Sequence, residues 1–207
     1  MKTSRANIFY GTFSILAISP DSKLLGVAVA SGSTSVGDRV PHAKPGIGVL
    51  ATQAYTNVIY GVKGLELMAR GMPPQETLNK LLEEDLERDL RQVAIMDFKR
   101  RKAVFTGANA PEYYAEVIGK DYIAIGNLLS KTDVVASIAK EFESTGGDLA
   151  WGMVNALKAG SESGGDRRGE RSAALIVVDA EKVKVEIKVG FHEKPIEELY
   201  RKLKSQQ

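Results

Sequence analysis

The chain contains no cysteine. A disulfide framework, a thiolate metal site and a cysteine nucleophile are therefore excluded. It has only two histidines, His42 and His192, and no His-x-x-x-His pair, so a zinc enzyme is not expected. Charge of one sign is not in excess: 28 Lys and Arg against 26 Asp and Glu leave a formal net charge of +2. The basic clusters, Lys99-Arg100-Arg101-Lys102 and Arg167-Arg168, are short and separate, which is not the continuous basic face of a nucleic-acid binder. No apolar run approaches a membrane span. Lys2 and Arg5 precede an apolar stretch, but Gly11, Thr12 and Ser14 interrupt it and no small-x-small cleavage site ends it, so the stretch reads as a strand and the protein as cytoplasmic.

What is present fits one domain. The 207 residues are 43% hydrophobic and 26% charged, enough for a sizeable core but cramped for two. Alternating apolar residues predict strands over 12–18, 24–31, 47–54, 91–97, 102–106, 122–125, 173–178 and 182–189. Helical spacing predicts helices over 61–70, from Pro73-Pro74 onward with Leu78, Leu81 and Leu82 inward, around Val135, Ile138 and Phe142, over 148–159, and around Ile196, Leu199 and Leu203. Helices come in pairs between hairpin-rich blocks, which is not the regular alternation of a doubly wound parallel sheet. The expected fold is α+β: two mainly antiparallel sheets packed face to face with helices outside. The strand "KVKVEIKV" carries the Lys and Glu of a protected sheet edge.

The chemistry turns on the opening "GTFSILAISPDSKLLGVAVASG". A threonine hydroxyl is a weak nucleophile unless a base takes its proton, and a free α-amine on the same residue, with a pKa of about 7.7–8.0, can serve. Gly11 lends the preceding bond little bulk, as an N-to-O acyl shift at Gly11-Thr12 requires. By residue type alone, Thr12 equally reads as an ordinary strand residue.

The blocks "GTFSILAISPDSKLLGVAVASG", "VPHAKPGIGVLATQAYTN", "YGVKGLELMARG", "RQVAIMD", "IGNLL" and "GGDRRGERSAALIVVD" resemble, in order, those of the domain of unknown function 1028 family. That family is placed among the N-terminal-nucleophile hydrolases, with proteasome β subunits as relatives. The resemblance implies a four-layer αββα sandwich and hydrolysis of an amide bond, with no settled substrate. It implies Thr12 as nucleophile and Lys44 as the cation lowering its pKa. By residue type and position, Asn127 reads as an oxyanion donor or a turn residue, and Asp166, in the Gly-rich loop, as orienter of the amine. Ser31, Gln53, Asn57, Arg167, Arg171 and Ser172 are the substrate-binding candidates. For Lys44 a surface role beside Pro45-Gly46 stands equally, and for Asn57 a helix cap. Many relatives carry a basic residue after the strand serine, where this chain has Gly32.

On this reading residues 1–11 are an extension or propeptide and 12–207 a single domain. The substrate is a small molecule or short peptide, no metal or organic cofactor is needed, and neither nucleic acid nor membrane is a partner. A closed homo-oligomer, a dimer or higher, is expected. The alternative is a binding or assembly protein that keeps the sandwich with its nucleophile blocked.

Overall fold

A computed structural model describes residues 11–206. The expected propeptide, apart from Gly11, lies outside the described residues. The strands are β1 (Thr12–Ile18), β2 (Leu25–Ser31), β3 (Pro41–Lys44), β4 (Gly48–Ala54), β5 (Arg91–Asp97), β6 (Lys102–Thr106), β7 (Ala115–Ile118), β8 (Tyr122–Asn127), β9 (Ser172–Val178) and β10 (Val183–Val189). The helices are α1 (Ile59–Ala69), α2 (Pro74–Glu83), α3 (Asp133–Ser144), α4 (Leu149–Glu162) and α5 (Pro195–Lys204).

Two antiparallel sheets form, ordered β10-β9-β2-β1-β8-β7 and β3-β4-β5-β6. The strand period of two decides which layer each side chain joins. In β1, Phe13, Ile15 and Ala17 face α3, α4 and α5, packing among Val135, Ile138, Met153, Leu157 and Leu199. Leu16 and Ile18 face the other way, into an inter-sheet core with Val27, Val49, Ala94, Met96 and Ile125. The smaller sheet turns Leu50, Val93 and Ile95 outward under α1 and α2, where Tyr60, Leu65, Met68, Leu78 and Leu81 cover them. Three apolar layers between four structural layers give the αββα sandwich. Because β1, β2, β4, β5, β8 and β9 are buried on both faces, every one of their residues is buried.

Helix signals follow local chemistry. Pro74 occupies the first turn of α2, where no donor is lost. Asp148 caps α4 by accepting from Trp151 N at 3.1 Å. In α5, Glu197 and Glu198 occupy the first turn and Arg201, Lys202 and Lys204 the last, matching the helix dipole. On α2, Leu81 is buried and Leu82 only partly so. β10 lies at a sheet edge, where its Lys and Glu face solvent. Two short edge strands, β3 and β7, were not expected from the sequence. His42 sits on β3 with its Nε2 3.1 Å from Arg39 O, and burial lowers its pKa. A Cβ at Gly61 of α1 would overlap its ring, so that glycine is what lets helix and strand approach. Among the described residues, no helix is long and apolar enough to cross a membrane.

Candidate functional site

The inter-sheet core is apolar until it reaches one end, and there it becomes polar. Continuing the inward-facing parity of each strand past the apolar positions arrives at Ser14 and Thr12 on β1, Ser31 on β2, Asn127 on β8 and Ser172 on β9. Register aligns them: Thr12 lies opposite Ser31 on one side and Asn127 on the other, and Ser31 lies opposite Ser172. The smaller sheet supplies Gln53, Gln92 and Thr106, also in one row. Thr12, Ser14, Ser31, Gln53, Gln92, Asn127 and Ser172 are all essentially inaccessible to solvent.

Buried polar groups need partners, and here they find one another across the sheets. Gln53 bridges them, accepting from Ser14 Oγ at 2.6 Å and donating Nε2 to Thr12 O at 3.3 Å and to Gln92 Oε1 at 2.7 Å. Gln92 is the hub. Its Oε1 also accepts from Asn127 Nδ2 at 3.1 Å, and its Nε2 reaches Thr106 Oγ1 and Gly126 O, both at 3.1 Å. Gln92→Leu keeps the volume but removes the partner of two buried amides and a carbonyl. A loss of about 1–3 kcal/mol is expected from the urea midpoint at unchanged m-value. The backbone leaves this layer through left-handed residues on both sheets: Ala54, after Gln53, has φ 67° and Leu128, after Asn127, has φ 50°. Such conformations cost a side-chain-bearing residue about 1–2 kcal/mol and persist where surroundings impose them.

At the mouth of the layer lies the carbonyl of Gly11. Its oxygen accepts from Ser31 Oγ at 2.5 Å and from Arg168 Nη2 at 3.0 Å. Thr12 Oγ1 lies 2.5 Å from the same oxygen and 3.1 Å from Ser31 Oγ. Ser31 Oγ also accepts from Ser33 N at 3.1 Å and shares a 2.9 Å bond with Ser33 Oγ, which in turn accepts from Arg39 Nη2 at 2.9 Å. A chain of hydroxyls thus connects a second guanidinium to Thr12.

The Gly-rich loop between α4 and β9 delivers an ion pair. The Asp166 side chain is fully buried and Arg168 is 30% exposed. Arg168 grips Asp166 with Nε on Oδ1 at 3.0 Å and Nη2 on Oδ2 at 2.9 Å, and Gly32 N donates to Oδ2 at 2.7 Å. The loop folds back because Gly164, Gly165 and Gly169 take positive φ, and Glu170 accepts from Asp166 N and Ser161 Oγ, both at 2.9 Å. At Gly32 a Cβ would fall 2.8 Å from both Asp166 Oδ1 and Gly169 O. A basic side chain there would displace the carboxylate, and Arg168 supplies the cation instead.

Of the residues expected at the site, Thr12, Ser31, Gln53, Asn127 and Asp166 come together. Asn127 turns its Nδ2 to Gln92 rather than to the Gly11 carbonyl. Ser172 adjoins Ser31 but ties down the following loop, donating to Ser33 O at 2.6 Å and accepting from Val36 N at 3.1 Å. Lys44 is not brought to the site. It is exposed and pairs with Gly48, five residues along β4 from Gln53, or about 16 Å at strand rise. Asn57 lies two residues before α1 and accepts from Ile59 N at 3.1 Å through its Oδ1, a local turn contact. The Arg171 side chain is exposed, and its backbone N donates to Ser31 O at 2.7 Å. Arg167 stands beside the site, stacked on Tyr113. Sequence reasoning missed Arg168, Gln92, Ser33 and Arg39. The inward parity of "RQVAIMD" would have found Gln92. No signal distinguishes Arg168 from its neighbours in "DRRGER".

A cleft of about 480 Å³ opens beside Arg168, lined by Tyr55, Asn109, Ala110, Pro111, Glu112, Leu128 and Arg167. No cluster of three or more His, Asp or Glu able to hold a metal ion exists among the described residues.

Fold and site together define an αββα sandwich whose paired sheets end in a buried layer of hydroxyls, amides and one ion pair. The chain belongs to the family of unknown function DUF1028, whose model matches residues 12–199. Among solved structures it is similar to protein SPO2555 from Silicibacter pomeroyi, a DUF1028 protein, at 29% identity and a TM-score of 0.88, covering 94% of this chain and 85% of that one. Anbu (ancestral beta-subunit) from Yersinia bercovieri matches at 11% identity and a TM-score of 0.45 over 94% of each chain. No curated protein matches the chain.

Proposed function

We propose that the protein is an amidohydrolase in which Thr12 becomes the nucleophile once the Gly11-Thr12 bond is cut, acting on a small amide or short peptide. The observation that carries this reading is the surrounding of the Gly11 carbonyl oxygen: Ser31 Oγ at 2.5 Å, Arg168 Nη2 at 3.0 Å and Thr12 Oγ1 at 2.5 Å. Two donors stand where negative charge would develop, and a hydroxyl stands beside the carbonyl it would attack. The family match beginning at Thr12 is consistent with this division of the chain.

In the cut, Thr12 Oγ1 bonds to the Gly11 carbonyl carbon. Its proton is transferred to the Thr12 nitrogen as the C–N bond breaks, while Ser31 Oγ and Arg168 Nη2 hold the charge on the Gly11 oxygen. Water then splits the resulting ester, leaving a Gly11 carboxylate, the Thr12 hydroxyl and a free α-amine. Turnover repeats the chemistry on a substrate. The amine takes the Oγ1 proton, Oγ1 forms an ester with the acyl group, the amine protonates the leaving nitrogen, and water hydrolyses the ester. Asp166 lies against Gly11, since a Cβ there would fall 2.5 Å from its Oδ2, so its carboxylate borders the space the new amine would enter. Arg39, acting through Ser33 and Ser31, takes the place foreseen for Lys44.

The test is a chain with a verified Thr12 terminus, assayed on an amide panel and with a threonine-directed covalent probe. Hydrolysis and labelling are expected, both lost in Thr12→Ala. A folded, correctly trimmed protein inert to both sinks the enzyme and leaves the binding-protein alternative.

A further inference from the structure

The cleft beside Arg168 carries its own chemistry. Arg167 holds its guanidinium 4.5 Å over the Tyr113 ring. Both partners are pinned to one segment: Arg167 N donates to Leu128 O at 3.1 Å, and Tyr113 O accepts from Leu129 N at 3.2 Å. Tyr113 also sits at φ 57°, a conformation its surroundings must impose. Arg167 forms no ion pair among the described residues, whereas Arg168 is committed to Asp166. A cation stacked in this way gives up little freedom on binding, and its planar fork matches a carboxylate. The floor around it is apolar, with Leu128, Ala110 and Pro111, and Arg168 links the cleft to the Gly11 carbonyl.

We infer that this cleft binds a carboxylate through Arg167, so that the substrate is an amide carrying a free carboxylate next to a compact apolar group. The inference rests on the amidohydrolase reading for the word substrate, but the binding itself does not. Glu112 lines the same cleft from an exposed position. A ligand with several negative charges therefore meets repulsion as well as attraction, while a monocarboxylate docks its charge on Arg167 and its neutral body on Leu128 and Pro111. The cleft volume of about 480 Å³ accommodates a ligand of that size.

The experiment uses the full chain and no turnover, so an inert hydrolase still reports. Calorimetry compares N-acetyl-L-leucine with N-acetyl-L-leucinamide, which differ only in the carboxylate. The acid is expected to bind about tenfold or more tightly, as a charge-assisted pair implies. Arg167→Ala is expected to bring the acid down to the amide, Arg167→Lys to keep part of the preference, and Arg201→Ala, at an exposed position of α5, to change nothing. Equal binding of acid and amide, no detectable binding of the acid at about 10 mM, a free energy of only about 3 kcal/mol, or an unchanged acid affinity in Arg167→Ala each overturns the inference.

Discussion

Thr12→Ala is expected to stay full length, while the wild-type chain and Thr12→Ser lose everything before residue 12. Intact mass after purification reads the difference directly. The reason is the proton and bond inventory of the cut. The attacking atom is Oγ1, already 2.5 Å from the Gly11 oxygen, and no other side chain sits there with both a hydroxyl and that carbonyl in reach except Ser31. Alanine removes the attacker and leaves the oxyanion donors in place. Serine keeps the attacker and loses one methyl, so it cuts, more slowly because its rotamer is less restricted. Ser31→Ala discriminates further. It deletes a donor to the developing oxyanion, so the rate of cutting should fall by about 10²–10³-fold, the scale of one lost oxyanion donor. If Thr12→Ala is cut at the same bond as wild type, the nucleophile is not Thr12 and the whole scheme fails. If none of the chains is cut, the amide nitrogen of Thr12 cannot serve as a base, and the protein should hydrolyse nothing in that form.

The sandwich was legible because strand and helix periods are strong when both faces of a strand are buried. β1, β2, β4, β5 and β9 appear within a residue of their expected bounds. β3 and β7 were not legible. Each is four residues long at a sheet edge, β3 opens with Pro41, and neither has a fully buried face to impose a pattern. The site was half legible for a related reason. Thr12, Ser31 and Gln53 are chemically plain residues at strand ends, and only pairing shows that they fall in one row. Lys44, which the resemblance implied, lies opposite Gly48 at the other end of β4 from Gln53. The hairpin between β3 and β4 turns there, away from Gln53. Arg167, Arg168 and Arg171 are indistinguishable by composition. Only the folded loop, in which Gly165 and Gly169 take positive φ, shows Arg168 on Asp166 and Arg167 over Tyr113.

Arg168→Ala should damage both folding and cutting, and the two effects can be separated. The substitution leaves the Asp166 carboxylate fully buried with its backbone donors from Gly32 and Arg168 but without its guanidinium. Removing one partner of a buried pair costs about 3–5 kcal/mol, and the partial exposure of Arg168 places this case toward the lower figure. Replacing both charges, as in Asp166→Asn with Arg168→Leu, removes the uncompensated carboxylate and should recover most of the loss in a denaturant titration. It should not recover cutting, because the donor 3.0 Å from the Gly11 oxygen is still missing. Arg168→Lys tests the fork itself. A lysine ammonium keeps the charge near Asp166 but cannot hold Oδ1, Oδ2 and the Gly11 oxygen in one plane as Nε and Nη2 do. It should therefore lie close to wild type in stability and about 10²-fold down in rate, since what it loses is oxyanion geometry rather than charge. Should the double replacement regain stability and cut at the wild-type rate, Arg168 is a structural counter-ion only. The oxyanion role then falls to Ser31 alone.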